Sequence, residues 1–127
     1  MNVLVLLIIL LLSSCSGEGQ AKEHTPTVIS PQTATQMMLD PTVIILDVRT
    51  QEEFDAGHIP NAILLPYNLI ATYAPEILPD KTQTILIYCQ SGRRSNIAAW
   101  QLADMGFSAV YDFGGILSWH GDIVYIK

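Results

Sequence analysis

Two runs of consecutive apolar residues, Val43-Ile44-Ile45-Leu46 and Ile85-Leu86-Ile87-Tyr88, constrain this fold more than any other feature of the chain. A strand without a polar residue at every second position has no face to offer water, so both of its faces must be covered. Such strands belong at the centre of a parallel sheet, and parallel neighbours need crossover connections, usually helices. The intervening segments fit that role. Ser30-Pro31 supplies an N-cap and a proline at the first helical position, predicting a helix to about Leu39 that Asp40-Pro41 ends. Met37, Met38 and Leu39 on it read as core packing. A short helix is expected over 51–56, a partly helical stretch interrupted by Pro75 over 67–77, and a helix over 96–105. In the last, Ala98, Leu102 and Met105 have helical spacing, and Gly106 supplies the stop. Further strands are expected at Val28-Ile29, over 42–48 around the first run, at Ala62-Ile63-Leu64-Leu65 closed by Pro66, and at Ala109-Val110-Tyr111. Gly114-Gly115 forms a loop before a last short helix carrying Trp119. Strands alternating with helices over 127 residues make one α/β domain with a mostly parallel sheet.

Directly behind the second run stands Cys89-Gln90-Ser91-Gly92-Arg93-Arg94-Ser95. The layout is strand, tight loop, helix, with a cysteine at the carboxyl end of the strand, where ligands collect in open α/β sheets. A helix N-terminus offers unpaired N–H groups and partial positive charge, and Gly92 lets the backbone turn so that several of them face one point. Arg93 and Arg94 add full charges, so the Cys89 thiol is expected below its free value of about 8.5. The alternative is a small buried hydrophobe at a strand end; the glycine and two arginines nearby favour a reactive thiolate. Asp47 and Arg49 lie on the same sheet edge. Asp47 either orients the active loop by accepting backbone or arginine hydrogen bonds, or is structural; a pair between Arg49 and Glu53 fixing the short helix takes precedence.

Charge narrows the partners. Twelve acidic residues against six basic ones make nucleic acid or an anionic membrane surface an unsuitable partner for the domain. Three of the six basic residues are nevertheless Arg49, Arg93 and Arg94, a local positive site that fits a small anion. No metal, nucleotide or flavin motif is present, so no cofactor is expected; His24 reads as solvated rather than as a ligand.

Three spaced stretches resemble the rhodanese family of sulfurtransferases. The active loop of that family opens on its nucleophilic cysteine and places an arginine five residues later, matched by Cys89 and Arg94. Leu46-Asp47-Val48-Arg49 with Glu53-Phe54 and Gly57-His58-Ile59-Pro60 is similar to the N-terminal signature, and Gly114-Gly115-Ile116 with Trp119 to the C-terminal one. Together they cover about residues 28–121. The resemblance implies five strands in the order 1-5-4-2-3 with helices on both faces, in a single domain over 28–127. His58 resembles a position that packs and hydrogen-bonds loops; a general base is not needed, because a thiolate has no proton to lose. Low-molecular-weight and dual-specificity phosphatases carry the arginine one residue further on, where this chain has Ser95. The shorter ring suits one sulfur better than a tetrahedral phosphate.

The activity so implied is transfer of sulfane sulfur through a Cys89 persulfide, from a small anionic donor such as thiosulfate to a thiol or cyanide. The loop from Gln90 to Ser95 binds the persulfide, its amides and Arg94 holding the negative charge while Arg93 steers the donor. Gln90 stands where many members carry a basic residue, which admits a less charged donor. Alternatives are a tethered persulfide carrier or sensor serving an unidentified acceptor protein, an oxyanion phosphatase or arsenate reductase, and a binding module without turnover. Asn61 replaces a common glycine, tolerably, because asparagine accepts left-handed geometry. The apolar Ile123-Val124-Tyr125-Ile126 departs from the family pattern, as an added edge strand or a contact surface.

Val3 to Leu12 is an apolar run too short to span a bilayer comfortably, as in the h-region of a signal peptide. Leu12-Ser13-Ser14-Cys15-Ser16 resembles a bacterial lipobox, with residues 1–14 removed and lipid on Cys15. The departure is a missing basic n-region; an uncleaved anchor or a buried helix is the alternative. Lipidation implies export to the periplasmic face of the outer membrane in a Gram-negative cell, and to the cell surface otherwise. Residues 15–27 then form a flexible tether. With Cys15 lipidated, Cys89 is the one remaining thiol, and neither an internal disulfide nor a resolving cysteine is available.

Overall fold

The computed structural model describes residues 22–127; the apolar run, Cys15 and the first part of the tether lie outside the described residues. Five strands are described: β1 Thr27–Val28, β2 Ile44–Asp47, β3 Ile63–Leu64, β4 Ile85–Cys89 and β5 Val110–Gly115. The helices are α1 Pro31–Met37, α2 Gln51–Asp55, α3 Ile70–Ile77 and α4 Arg93–Asp104, with 3-10 turns at Tyr67–Leu69 and Ile116–Ser118. All strand pairs are parallel and the order is β1-β5-β4-β2-β3, as the resemblance implied.

The continuous apolar runs do what two covered faces demand. Along β4 the side chains alternate: Ile85, Ile87 and Cys89 join one core with α3 and α4, and Leu86 and Tyr88 join the other with Ala34 of α1 and Phe113. All five β4 residues are buried. At roughly 2 kcal/mol for each fully buried large apolar side chain, this strand anchors the sheet, and its carboxyl end is correspondingly rigid.

Several boundaries differ from those expected. β1 sits one residue earlier than Val28-Ile29, although the Ile29 N–H still donates to the Asp112 carbonyl at 2.9 Å. The Ser30 cap is present, its hydroxyl accepting the Thr33 N–H. Helix α1 stops at Met37 because Asp40 draws the following turn onto itself, accepting from the Thr42 N–H and hydroxyl. Met37 and Met38 pack against the core, but Leu39, beyond the helix end, is 76% exposed. β2 and β3 are each trimmed at both ends relative to 42–48 and 62–65. Pro75 lies inside α3 without breaking it. Ile70, Ala74 and Leu78, spaced four apart, hold that helix to the core, and the exposed Ala71, whose carbonyl loses its partner, can turn to water.

Gly114 and Gly115 belong to β5 rather than to a loop, and Trp119 follows the last 3-10 turn instead of riding on it. The C-terminal segment is not an edge strand, and its Val124, Tyr125 and Ile126 remain exposed. It straps the α2–β3 connection: His58 and Val124 exchange both backbone hydrogen bonds at 2.9 Å, the Ile126 N–H donates to Asp55, and Ile123 packs on the core. Among the described residues no helix is long and apolar enough to cross a membrane.

Candidate active site

The chain leaves β4 at Cys89, turns over Gln90-Ser91-Gly92, and enters α4 at Arg93, three residues before the expected start at Asn96. The reason is Gly92. Its φ of 107° reverses the backbone in a single residue, so the helix begins at once and brings Arg93, Arg94 and Ser95 into its first turn. The amides left without partners there converge on the sulfur. The Gly92 N–H donates to Cys89 Sγ at 3.0 Å. The thiol lies 3.5 Å from Ser95 Oγ, which is fully buried and within reach of the Gly92 and Gly114 carbonyls at 3.1 and 3.3 Å.

Gly115 closes the other side. A Cβ there would overlap the Gln90 carbonyl and come within 2.7 Å of Ser91 Cα, so only glycine lets β5 lie against the loop backbone. Asp112 supports the same contact. Its buried carboxylate accepts the Gly114 N–H at 2.9 Å; burial raises its pKa against the opposing hydrogen bonds from Gly114 and Ser95.

Burial by itself would push the Cys89 thiol up. Hydrogen bonds from the Ser95 hydroxyl and from the Ser95, Gly92 and Ser91 amides outweigh it, and the thiol lies below its ordinary value. These loop donors are the leading stabilisers of the thiolate, with the Arg94 charge adding to them. Ser95→Ala removes the one side-chain donor. Its Cys89 titration, followed by thiolate absorbance or alkylation rate against pH, is expected to move upward by about one unit, since hydrogen bonds to charged groups contribute roughly 1.5–3 kcal/mol. An unmoved inflection would remove Ser95 from this role.

The arginines pair differently from the expectation. Arg49 does not meet Glu53. Its Nε and Nη2 fork onto Asp47 at 3.0 and 2.7 Å, both residues being buried, and Nη2 also donates to the Gly57 carbonyl at 2.7 Å. Two residues apart on an extended strand end, Asp47 and Arg49 point the same way, which makes this pair the local choice. Nη1 reaches Gln90 Oε1 at 3.4 Å, so the Asp47–Arg49 pair extends to the loop. Arg94 in turn takes Glu53, donating through both Nη atoms at 2.7 and 2.8 Å. Its guanidinium is therefore committed to a carboxylate instead of to the thiolate. Arg93 is exposed, its guanidinium 6.0 Å from the centre of the Tyr67 ring.

His58 stacks on Phe54, ring centroids 3.6 Å apart, with Nδ1 2.8 Å from the Phe54 carbonyl oxygen. It joins α2 to the C-terminal strap. Tyr88 lies under the site, its hydroxyl accepting the Ile59 N–H at 3.0 Å. Burial raises its pKa, assisted by Asp47, so the hydroxyl stays protonated.

Sequence reading did not single out Glu53 as a partner of the loop, Gly115 as its close neighbour, or Asp112 as its support. One signal was available: Thr50 and Glu53 form a capping box, legible as Thr-x-x-Glu. The Glu53–Arg94 pair spans 41 positions and carried none.

A parallel α/β sheet with a cysteine cradled by loop amides at a helix N-terminus places this chain among the cysteine-loop α/β domains. A match to the Rhodanese-like domain family runs over residues 30–122, and the chain belongs to that family. It is 37% identical over 97 residues to a protein named sulfurtransferase from Allochromatium vinosum, covering 73% of this chain and 89% of that one. It is 34% identical over 71 residues to the thiosulfate sulfurtransferase PspE of Escherichia coli, covering 56% of this chain and 68% of that protein. The solved structure of a rhodanese-like domain protein from Staphylococcus aureus aligns with a TM-score of 0.67 and 31% identity, over 80% of this chain and 99% of that one.

Proposed function

We propose that this protein is a rhodanese-type sulfurtransferase that carries sulfane sulfur on Cys89. The Cys89 thiolate attacks the outer sulfur of a thiosulfate-type donor; a new S–S bond forms, the donor S–S bond breaks, and sulfite leaves with the electron pair. A thiol or cyanide then attacks the outer sulfur of the persulfide and frees the thiolate. The observation that carries this reading is the Gly92 N–H on Sγ at 3.0 Å, in a cradle of amides that needs no general base. The relatives named sulfurtransferase support it. Intact-mass spectrometry of the protein from Ser16 onward, after thiosulfate and again after cyanide, tests it. The mass of one sulfur atom gained and then lost, with thiocyanate released, is expected. A folded protein with a titratable thiol that gains no sulfur from thiosulfate or from an organic persulfide would overturn it.

The same proposal extends to location. The lipobox-like Leu12-Ser13-Ser14-Cys15 supports a lipid anchor on Cys15, followed by a tether that holds the domain off the membrane. Cys15→Ser is expected to move the protein from the membrane fraction to the soluble one on cell fractionation. Continued membrane recovery of the variant would end the lipoprotein reading.

A further inference from the structure

We propose that Glu53 sets the donor preference of this site, by holding Arg94 in a two-pronged ion pair and so withholding its charge from the entering donor. The inference rests on the sulfurtransferase reading and deepens it to a substrate class: donors carrying one negative charge rather than two. It follows from where the positive charge goes. Three arginines lie around the loop, but Asp47 neutralises Arg49 and Glu53 neutralises Arg94, and these are the ion pairs of the described residues. Only Arg93 at the loop remains without a carboxylate partner, and the first loop residue, Gln90, is neutral.

Glu53 is well placed to hold this pair. Its Oε1 accepts the Thr50 N–H and hydroxyl at 3.3 and 3.1 Å, so the carboxylate is fixed by the α2 capping box before it meets Arg94. Arg94 lies 19% and Glu53 30% exposed at the side chain, sheltered enough for the pair to persist in salt. The Arg94 bond holds the Glu53 carboxyl down at about 2, against the opposing effect of burial. The pair therefore stays closed throughout the pH range in which the thiolate works.

Glu53→Gln isolates the effect, because glutamine also serves in a capping box and α2 keeps its start. Glu52→Gln is the matched control: it removes one charge from the same helix at an exposed residue that makes no ion pair among the described residues. The probes are thiosulfate, a dianion, and methanethiosulfonate, a monoanion of similar shape in which methyl replaces one oxygen. Both give the same Cys89 persulfide, releasing sulfite or methanesulfinate with the electron pair.

Wild-type protein is expected to favour methanethiosulfonate in kcat/KM. Glu53→Gln is expected to raise the thiosulfate-to-methanethiosulfonate ratio about tenfold, chiefly through a lower KM for thiosulfate, whereas Glu52→Gln leaves it within about twofold. Loading from both donors with a ratio unmoved by Glu53→Gln, or moved equally by Glu52→Gln, overturns the role of Glu53 and leaves sulfur transfer standing. No loading in any variant from either donor or from an organic persulfide overturns the sulfurtransferase reading and this inference together, and loading from the persulfide alone overturns this inference and leaves sulfur transfer standing. Should Glu53→Gln unfold, the double variant Glu53→Gln with Arg94→Gln decides, because it removes the pair without leaving either charge uncompensated. A pair that already withholds the Arg94 charge predicts a ratio within about threefold of wild type, and a larger fall refutes the proposal.

Discussion

Replacing Cys89 with serine is expected to abolish sulfur loading and to lower turnover by at least about a thousandfold, as removal of a nucleophile does elsewhere. A serine hydroxyl at this position meets the same amides, but its pKa lies too far above neutrality for them to produce an alkoxide. The fold should hardly notice. The side chain changes by one atom within a buried site, and the new oxygen can still accept the Gly92 N–H, so the expected loss of stability is about 1 kcal/mol or less. Mass gain and thiocyanate formation, read beside a thermal melt, separate the two effects. A folded serine variant that retains even a tenth of the wild-type turnover would sink the persulfide route.

Asp47→Ala is expected to have the largest effect on stability. Asp47 is fully buried and receives four hydrogen bonds from Arg49: the backbone N–H and Nε on Oδ1 at 3.0 Å, and Nε and Nη2 on Oδ2 at 3.1 and 2.7 Å. Removing it leaves the guanidinium buried without a counter-charge, and breaking such a pair costs roughly 3–5 kcal/mol. For a domain of this size that lowers Tm by roughly 15 °C or more. Losing both members together is expected to cost less than Asp47→Ala alone, because no orphan charge remains; Asp47→Leu with Arg49→Met tests this by denaturant unfolding. An Asp47→Ala variant within about 1 kcal/mol of wild type would contradict this account of the pair. Arg49 also reaches Gln90, so the single variant should lose catalytic efficiency below its melting range as well.

What could be read in the residues was whatever depends on near neighbours. The two apolar runs announced central parallel strands because burial on both faces follows from composition alone. Ser30 before Pro31 and Gly106 after the last helix marked their ends through local backbone geometry. The cysteine with its glycine announced a thiolate cradle, since a strand, a left-handed residue and a helix start are all local events. Asn61 took the left-handed backbone that asparagine accepts, with φ of 67°. The family order of strands was legible only through the resemblance, because periodicity says nothing about which strands lie side by side.

What escaped the sequence is what long side chains and distant backbones settle among themselves. Arg49 had three carboxylates within four positions, Asp47, Glu52 and Glu53, and the strand geometry, not the spacing along α2, gave it Asp47. That choice freed Glu53 for Arg94, 41 residues away, and with it the charge of the active loop changed hands. Helix α4 began early because one residue at φ of 107° sufficed to start it, a fact invisible in the polar Arg93-Arg94-Ser95. Gly115 was read as a turn glycine, yet its function is to let β5 touch the loop backbone. The sequence alone determined the central strands, the cysteine at a strand end and the loop that cradles it, since each rests on local propensity and burial. Only the tertiary structure decided which charges stay free at the loop, because ion pairing is set by distance in space and competition among partners.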